Sequence, residues 1–341
     1  MIKNKKAKWI VRILLLLGTA VSLYFVPWLL VKAWILPLPD TVQGQLDEAI
    51  GHGFDGMIVY VDQEGKEPVS YAAGWKNKEK QIPANPHSLF KIASISKLYD
   101  AVAVTKLVGD GRLSLDKTIA DYLPELKGRI ENANQITLRL LIQHKSGIPN
   151  FTDAPRFWEA PTGSYEESLA LILDQPANFA PGEDYEYCNT NYLLLNKIMD
   201  NELGYENFQF IEEEILSPLQ LNNTFSSVAA VNVDDVMSGY HVGYPHDLKA
   251  NDYGMHATAE DVGTFLRALN EGTIFENDER NIYPYEYEHS GWVPGYQSFA
   301  NYDEELDAVI VQFYSTTDPD LYNWNLSEII NNRIAKILKE Q

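Results

Sequence analysis

The sequence predicts an α+β fold: an antiparallel sheet flanked by helices, with a mainly helical region inserted, and one membrane-spanning helix ahead of it. Three observations carry this expectation. Apolar stretches with strand patterning pair into hairpins at both ends of the chain, helical patterning fills the middle, and a long uncharged run comes first. Hairpins near both termini imply that the two ends complete one sheet around the helical segment.

The N-terminal run extends from Ile13 to Val31, 19 residues without a charge, bounded by Arg12 and Lys32. As a helix rising about 1.5 Å per residue it reaches across a hydrocarbon core. Lys3, Lys5, Lys6, Lys8 and Arg12 precede or border it, and no acidic residue occurs before Asp40. The excess of cations on this side predicts a cytoplasmic tail over residues 1–12, a transmembrane helix over 13–31, a linker over 32–43 and an extracellular domain over 44–341. The chain is therefore expected at the bacterial cell membrane as a single-pass protein. Ala20 and Ser22 form a small-x-small pattern of the kind that precedes signal cleavage, but apolar character continues through Tyr24, Phe25, Trp28 and Leu30, which favours an anchor. Pro27 is expected to kink the helix.

After Pro37-Leu-Pro39, Phe54–Val61 and Val69–Trp75 read as strands joined by a polar turn. Ile95–Val108 has apolar residues at 95, 98, 101, 102, 104, 107 and 108 and no Pro or Gly, the pattern of a largely buried helix. Further helices are expected around Glu166–Asp174, Asn191–Glu202, Phe208–Leu216 and Ala259–Leu269. Tyr296–Tyr302 and Leu306–Tyr314 read as a hairpin, and Leu326–Leu338 as a closing helix.

Beyond residue 32, 21 Lys and Arg face 48 Asp and Glu. So acidic a domain is a poor partner for nucleic acid and repels anionic polymers unless cations screen it. Cys188 is the only cysteine, which excludes an internal disulfide, although a domain of this size can bury a sufficient core without one. His144, His241, His246 and His256 lack metal-ligand spacing, and no Gly-rich phosphate loop follows a strand, so neither a metal nor another cofactor is expected.

Chemistry concentrates in three short patterns: Ser94-Ile-Ser-Lys97, Tyr187-Cys-Asn189 and His289-Ser290-Gly291. Together they supply a nucleophile, two proton carriers and a small-residue strand, most of what acyl transfer needs. Ser-x-x-Lys also occurs at Ser88–Lys91 and Ser114–Lys117, but only Ser94 sits at the mouth of the apolar helix, with Lys97 one turn on along the same side. An amine held there can take the hydroxyl proton. The alternative is that Ser94 merely caps the helix. Cys188, between Tyr187 and Asn189, is expected to point away as a neutral buried thiol.

These residues, with their surroundings, resemble the serine-hydrolase family of class C beta-lactamases, penicillin-binding D-alanyl-D-alanine carboxypeptidases and related esterases. The likeness covers nearly all of residues 45–325. Besides Phe90–Lys97 it includes Gly111–Asp116, Tyr122–Leu126, Leu140–Pro149 with a His-x-Ser-Gly-x-Pro segment at His144, Pro181-Gly182, Leu216–Leu221, Thr258–Asp261 and His289–Gly295.

The resemblance implies a class C beta-lactamase or penicillin-binding transpeptidase-like fold. It implies Ser94 as nucleophile, Lys97 and Tyr187 as proton carriers with the acylation base left open between them, and Asn189, His289, Ser290 and Gly291 as substrate-binding residues. The oxyanion hole would be the backbone N–H groups of Ser94 and Trp292. His289 stands where many relatives have lysine and, being only partly charged near neutrality, would attract a substrate carboxylate less. The implied partners are a peptidoglycan stem peptide or an acylated envelope polymer. D-alanyl-D-alanine carboxypeptidase-like action is the first expectation. The alternatives are an esterase removing D-alanyl or other acyl groups from teichoic acid, and a non-catalytic peptidoglycan or beta-lactam binder.

Overall fold

The computed structural model describes residues 5–341; Lys3 of the basic tail lies outside them. Six strands form the main sheet: β1 (Gly56–Gln63), β2 (Val69–Asn77), β3 (Ile82–Pro83), β4 (His289–Val293), β5 (Tyr296–Asp303) and β6 (Ala308–Tyr314). Their spatial order is β3-β2-β1-β6-β5-β4, antiparallel throughout. Thus β1 pairs with β6, Met57 opposite Tyr314, and the two ends of the chain do complete one sheet.

Both faces of this sheet are covered. Ile58 and Tyr60 of β1 point into the larger core, built with the inserted helices, while Met57, Val59 and Val61 point into a second core under the first and last helices of the domain. Each fully buried aliphatic side chain of this kind contributes about 1.5–3 kcal/mol. The closing helix runs Tyr322–Glu340, and Val42–Gly51, a helix that the pattern did not predict, starts where the Thr41 hydroxyl accepts from Gly44 N–H at 3.1 Å. The inserted helices sit near their expected places at Tyr165–Ala170, Asn189–Leu203, Asn207–Ile211 with a π-helical turn after it, and Ala259–Glu271.

The expectation of one membrane helix over 13–31 is not matched by one continuous helix. Two helices, Lys5–Tyr24 and Trp28–Ile35, are bent by 77° at the break between them. No single described helix is long and apolar enough to cross a membrane, although the bent pair passes together on length and composition. Pro27 is the physical cause: it has no N–H to donate, and it drives Val26 out of the helical region.

The expected linker over 32–43 is ordered as well. Ala33 is buried in the second core, and the Arg333 guanidinium, itself buried, donates to the carbonyls of Leu36 at 2.7 Å and Pro37 at 2.9 Å and to Gln45 Oε1 at 2.6 Å. The closing helix therefore clamps the chain just after the second of these helices.

Candidate active site

The helix that carries Lys97 spans Ser96–Gly109 and is preceded by a 3₁₀ turn, Ala93–Ile95, that presents Ser94, the candidate nucleophile. Eleven of its fourteen residues are buried, so it is a core helix rather than an amphipathic one. Ala93 adopts φ of +49°, a left-handed conformation costly for a residue with a β-carbon and held here by its surroundings. Ser94 Oγ lies 2.6 Å from Tyr187 Oη and 3.1 Å from Lys97 Nζ, and Lys97 also donates to Asn189 Oδ1 at 3.1 Å. Lys97 is nearly buried, with its ammonium over the rings of Tyr187 and Tyr192. The expected nucleophile and both expected proton carriers are thus within hydrogen-bond reach of one another through the Ser94 oxygen.

The other two Ser-x-x-Lys pairs lie outside the cleft. Lys91 is buried elsewhere, donating to the carbonyls of Leu248 at 2.7 Å and Asn251. Ser114 Oγ accepts from the nearby Asp116 N–H.

Tyr187 and Asn189 arrive on the short segment that leads into the Asn189–Leu203 helix. Its backbone is tied down from the preceding His144 loop: Cys188 N–H donates to His144 Nδ1 at 3.1 Å, and Asn189 N–H to Asn150 Oδ1 at 3.0 Å. Asn189 Nδ2 donates to Thr152 Oγ1 at 3.1 Å, which turns the amide oxygen toward Lys97. Gly147, at φ of +74°, lets this loop pass so close to Phe179 that a β-carbon would collide with its carbonyl. Cys188 turns inward, 3.2 Å from the Ile148 carbonyl, and burial pushes its thiol up from its ordinary range.

The third pattern forms the edge strand β4. Gly291 allows it to lie against the Ile92-Ala93 backbone just ahead of Ser94, while Ser298 Oγ on β5 donates to the Ile92 carbonyl at 2.9 Å. This contact brings Trp292 alongside Ser94 in one cleft of about 1250 Å³, with Ser290 and His289 also lining it. Trp158 meets Trp292 edge-on at 5.6 Å and Tyr253 at 6.3 Å, giving the cleft an aromatic wall. Among the described lining residues Lys97 is the only Lys or Arg, whereas Asp252, Glu286 and Glu288 all border the cleft. Partial burial, and then the charge of Glu288, lifts the Glu286 carboxyl above its usual range.

Both ring nitrogens of His289 are occupied. Nε2 lies 2.8 Å from Tyr285 Oη and Nδ1 lies 2.5 Å from the Ser290 carbonyl. Tyr285 Oη in turn lies 3.3 Å from His144 Nε2. Burial, and then the charge of Lys97, lowers His144 to about 3 and His289 to about 4, so both are neutral imidazoles near pH 7. Thr152, Asn150, Tyr285 and Trp158 were not singled out by sequence; the first two lie just past the His-x-Ser-Gly-x-Pro segment, whose end was the available signal.

A beta-lactamase family model matches residues 39–286. The chain belongs to the beta-lactamase family. Among curated family relatives, "Protein flp" of Staphylococcus aureus (strain MW2) is 28% identical over 193 residues, 55% of this chain and 39% of that protein. A "D-aminopeptidase" of Cereibacter sphaeroides is 26% identical over 240 residues, 67% of this chain and 45% of that one. The chain thus spans less than half the length of either. The beta-lactamase-like fold is shared with the D-amino acid amidase of Ochrobactrum anthropi SV3, at a TM-score of 0.77 and 24% identity over 88% of this chain and 98% of that one. It is shared also with a penicillin-binding protein of Bacillus halodurans, at a TM-score of 0.68 and 19% identity over 81% and 95%.

Proposed function

We propose that this chain is a membrane-tethered, extracellular serine hydrolase that cleaves acyl bonds of envelope material through a covalent Ser94 acyl-enzyme. The observation that carries it is the placement of Tyr187 Oη at 2.6 Å and Lys97 Nζ at 3.1 Å on the same Ser94 oxygen. In this reading one of the two takes the hydroxyl proton as Ser94 attacks the carbonyl, the leaving group departs with a proton returned from the pair, and water then releases the acyl group by the same path. The backbone N–H groups of Ser94 and Trp292 would hold the oxyanion. A binder that forms no covalent adduct has no use for such an arrangement.

Charge supports a substrate with no free carboxylate beside the scissile bond. Lys97 is committed to Ser94 and Asn189, and the remaining charges bordering the cleft are acidic. A D-aminoacyl ester or amide, with its free ammonium, suits this lining better than the C-terminal carboxylate of a D-alanyl-D-alanine peptide. The names of the D-aminopeptidase and D-amino acid amidase relatives point the same way. The bent apolar pair ahead of the domain is what supports the tether.

The test is mass spectrometry of the full chain in detergent, incubated separately with D-alanylated teichoic acid and with D-alanyl-D-alanine muropeptide. Release of D-alanine from the ester, dependent on Ser94, is expected. Efficient cleavage of the muropeptide alone would restore the carboxypeptidase assignment, and turnover of neither would leave the serine without a substrate of this class.

A further inference from the structure

The hydrogen-bond line through His144, Tyr285 and His289 has its direction fixed from both ends by backbone groups. A backbone N–H can only donate, so Cys188 N–H at 3.1 Å makes His144 Nδ1 an acceptor and leaves the proton of the neutral ring on Nε2. A carbonyl can only accept, so the Ser290 oxygen 2.5 Å from His289 Nδ1 makes that nitrogen the donor and leaves Nε2 as an acceptor. Between them stands one hydroxyl, which accepts from His144 Nε2–H and donates to His289 Nε2. Every donor and acceptor in the line is matched, and no ring nitrogen of His289 is left over for substrate.

We propose that Tyr285 is a positioning and specificity residue: its hydroxyl locks His289 as a neutral, hydrogen-bond-saturated imidazole, so that this end of the cleft presents Ser290 and backbone but no positive charge. The inference rests on the assignment of the Ser94 cleft as the acyl-transfer site. It explains how a histidine bordered by Glu286 and Glu288 can stay uncharged. Protonating Nε2 would set a second N–H against the Tyr285 oxygen that already accepts from His144, and would turn the phenolic hydrogen away from His289 toward the neighbouring Tyr192 hydroxyl. The other groups that act on this ring agree: Lys97 repels a proton there, Tyr187 contributes its ring 6.1 Å away, and His144 is itself neutral. Burial keeps the Tyr285 phenol protonated and therefore available as the donor.

The experiment is two-bond ¹H–¹⁵N spectroscopy of the histidine-labelled full chain in detergent, which reports each imidazole's tautomer and titration without needing turnover. The wild type is expected to show His144 as the Nε2–H form and His289 as the Nδ1–H form, neither titrating above pH 5. Tyr285→Phe should release His289, moving its titration up by at least about one pH unit. In parallel, that variant's kcat/KM for a carboxylate-bearing acyl ester, relative to the methyl ester of the same compound, should rise about fivefold or more at pH 5.5 and stay unchanged at pH 8. His289→Gln, which cannot acquire charge, should keep the wild-type ratio at both pH values and serves if Tyr285→Phe folds poorly. A His289 that keeps its tautomer and titration in Tyr285→Phe, or a His289→Gln ratio that changes with pH as Tyr285→Phe is expected to, would overturn the proposal. Failure of the Ser94 assignment is distinguishable, because turnover would then be absent or indifferent to Ser94→Ala while the wild-type tautomers stay as described.

Discussion

Gly291 rests directly on the backbone of Ile92: a β-carbon at position 291 would stand 2.6 Å from the Ile92 carbonyl oxygen and 2.5 Å from Ser298 Oγ. Neither neighbour can yield, since one is main chain and the other is bonded to that same carbonyl. Gly291→Ala should therefore push the edge strand off the nucleophile turn and misplace Trp292 N–H. A loss of kcat on the order of 10²–10³ is expected, the size of one lost oxyanion donor. Steady-state kinetics beside circular dichroism checks it; full activity would detach Trp292 from the oxyanion hole.

Ser94→Ala should abolish the mass increment that a fluorophosphonate adds to the wild-type chain. Lys97→Ala and Tyr187→Phe should each lower turnover by about 100-fold or more with the fold retained, as expected for positioned acid–base groups. Near-normal turnover in Tyr187→Phe would assign the proton work to Lys97 alone.

Cys188 should be inert in the folded chain. Its sulfur is buried against the Ile148 carbonyl, and burial disfavours the thiolate. Iodoacetamide labelling, followed by mass spectrometry, should require denaturant, and rapid labelling of the native chain would contradict the placement.

Stability should fall as pH is lowered from about 6.5 toward 4, with His256 as a separable contributor. This ring is fully buried, and burial, then Lys91, holds its pKa at about 4. The unfolded chain therefore binds the proton first, at about 6.5, so the contribution is present above that pH and is lost as pH falls through the window, on the order of 3 kcal/mol in all. Asp100, lifted to about 7 mainly by burial, works in the opposite sense over the same range. The wild type is therefore best compared with His256→Leu in urea titrations, where the variant should show the shallower acid slope. Equal slopes would mean that His256 takes up its proton without unfolding.

Arg333→Ala should cost about 3 kcal/mol, because the Gln45 side chain and the carbonyls of Leu36 and Pro37 would lose a buried partner. Thermal unfolding measures the loss, and limited proteolysis should show new cleavage near residues 36–41. Unchanged protease resistance there would mean that helix Trp28–Ile35 is held by its apolar contacts alone.

The sequence by itself determined the α+β sheet closed by both chain ends and the buried helix that follows Ser94, and it singled out Ser94 over Ser88 and Ser114 as the candidate. These follow from spacing along a few turns or one strand, where side-chain direction is set by the backbone repeat. Tyr187 and Asn189 were legible through motif resemblance, although nothing local shows that they reach a serine more than ninety residues away. Only the tertiary structure decided the state of His289. Its partners are the Tyr285 hydroxyl and a carbonyl on its own edge strand, and the orientation of that hydroxyl is set by His144, 141 positions before Tyr285. The break at Pro27 lies between the two cases. The proline is visible in the sequence, but whether it bends a membrane helix or divides it depends on what holds the far side, and here Arg333 and the second core hold it. Chain-local geometry is encoded residue by residue, whereas the charge of a buried group is set by whichever groups the fold packs around it.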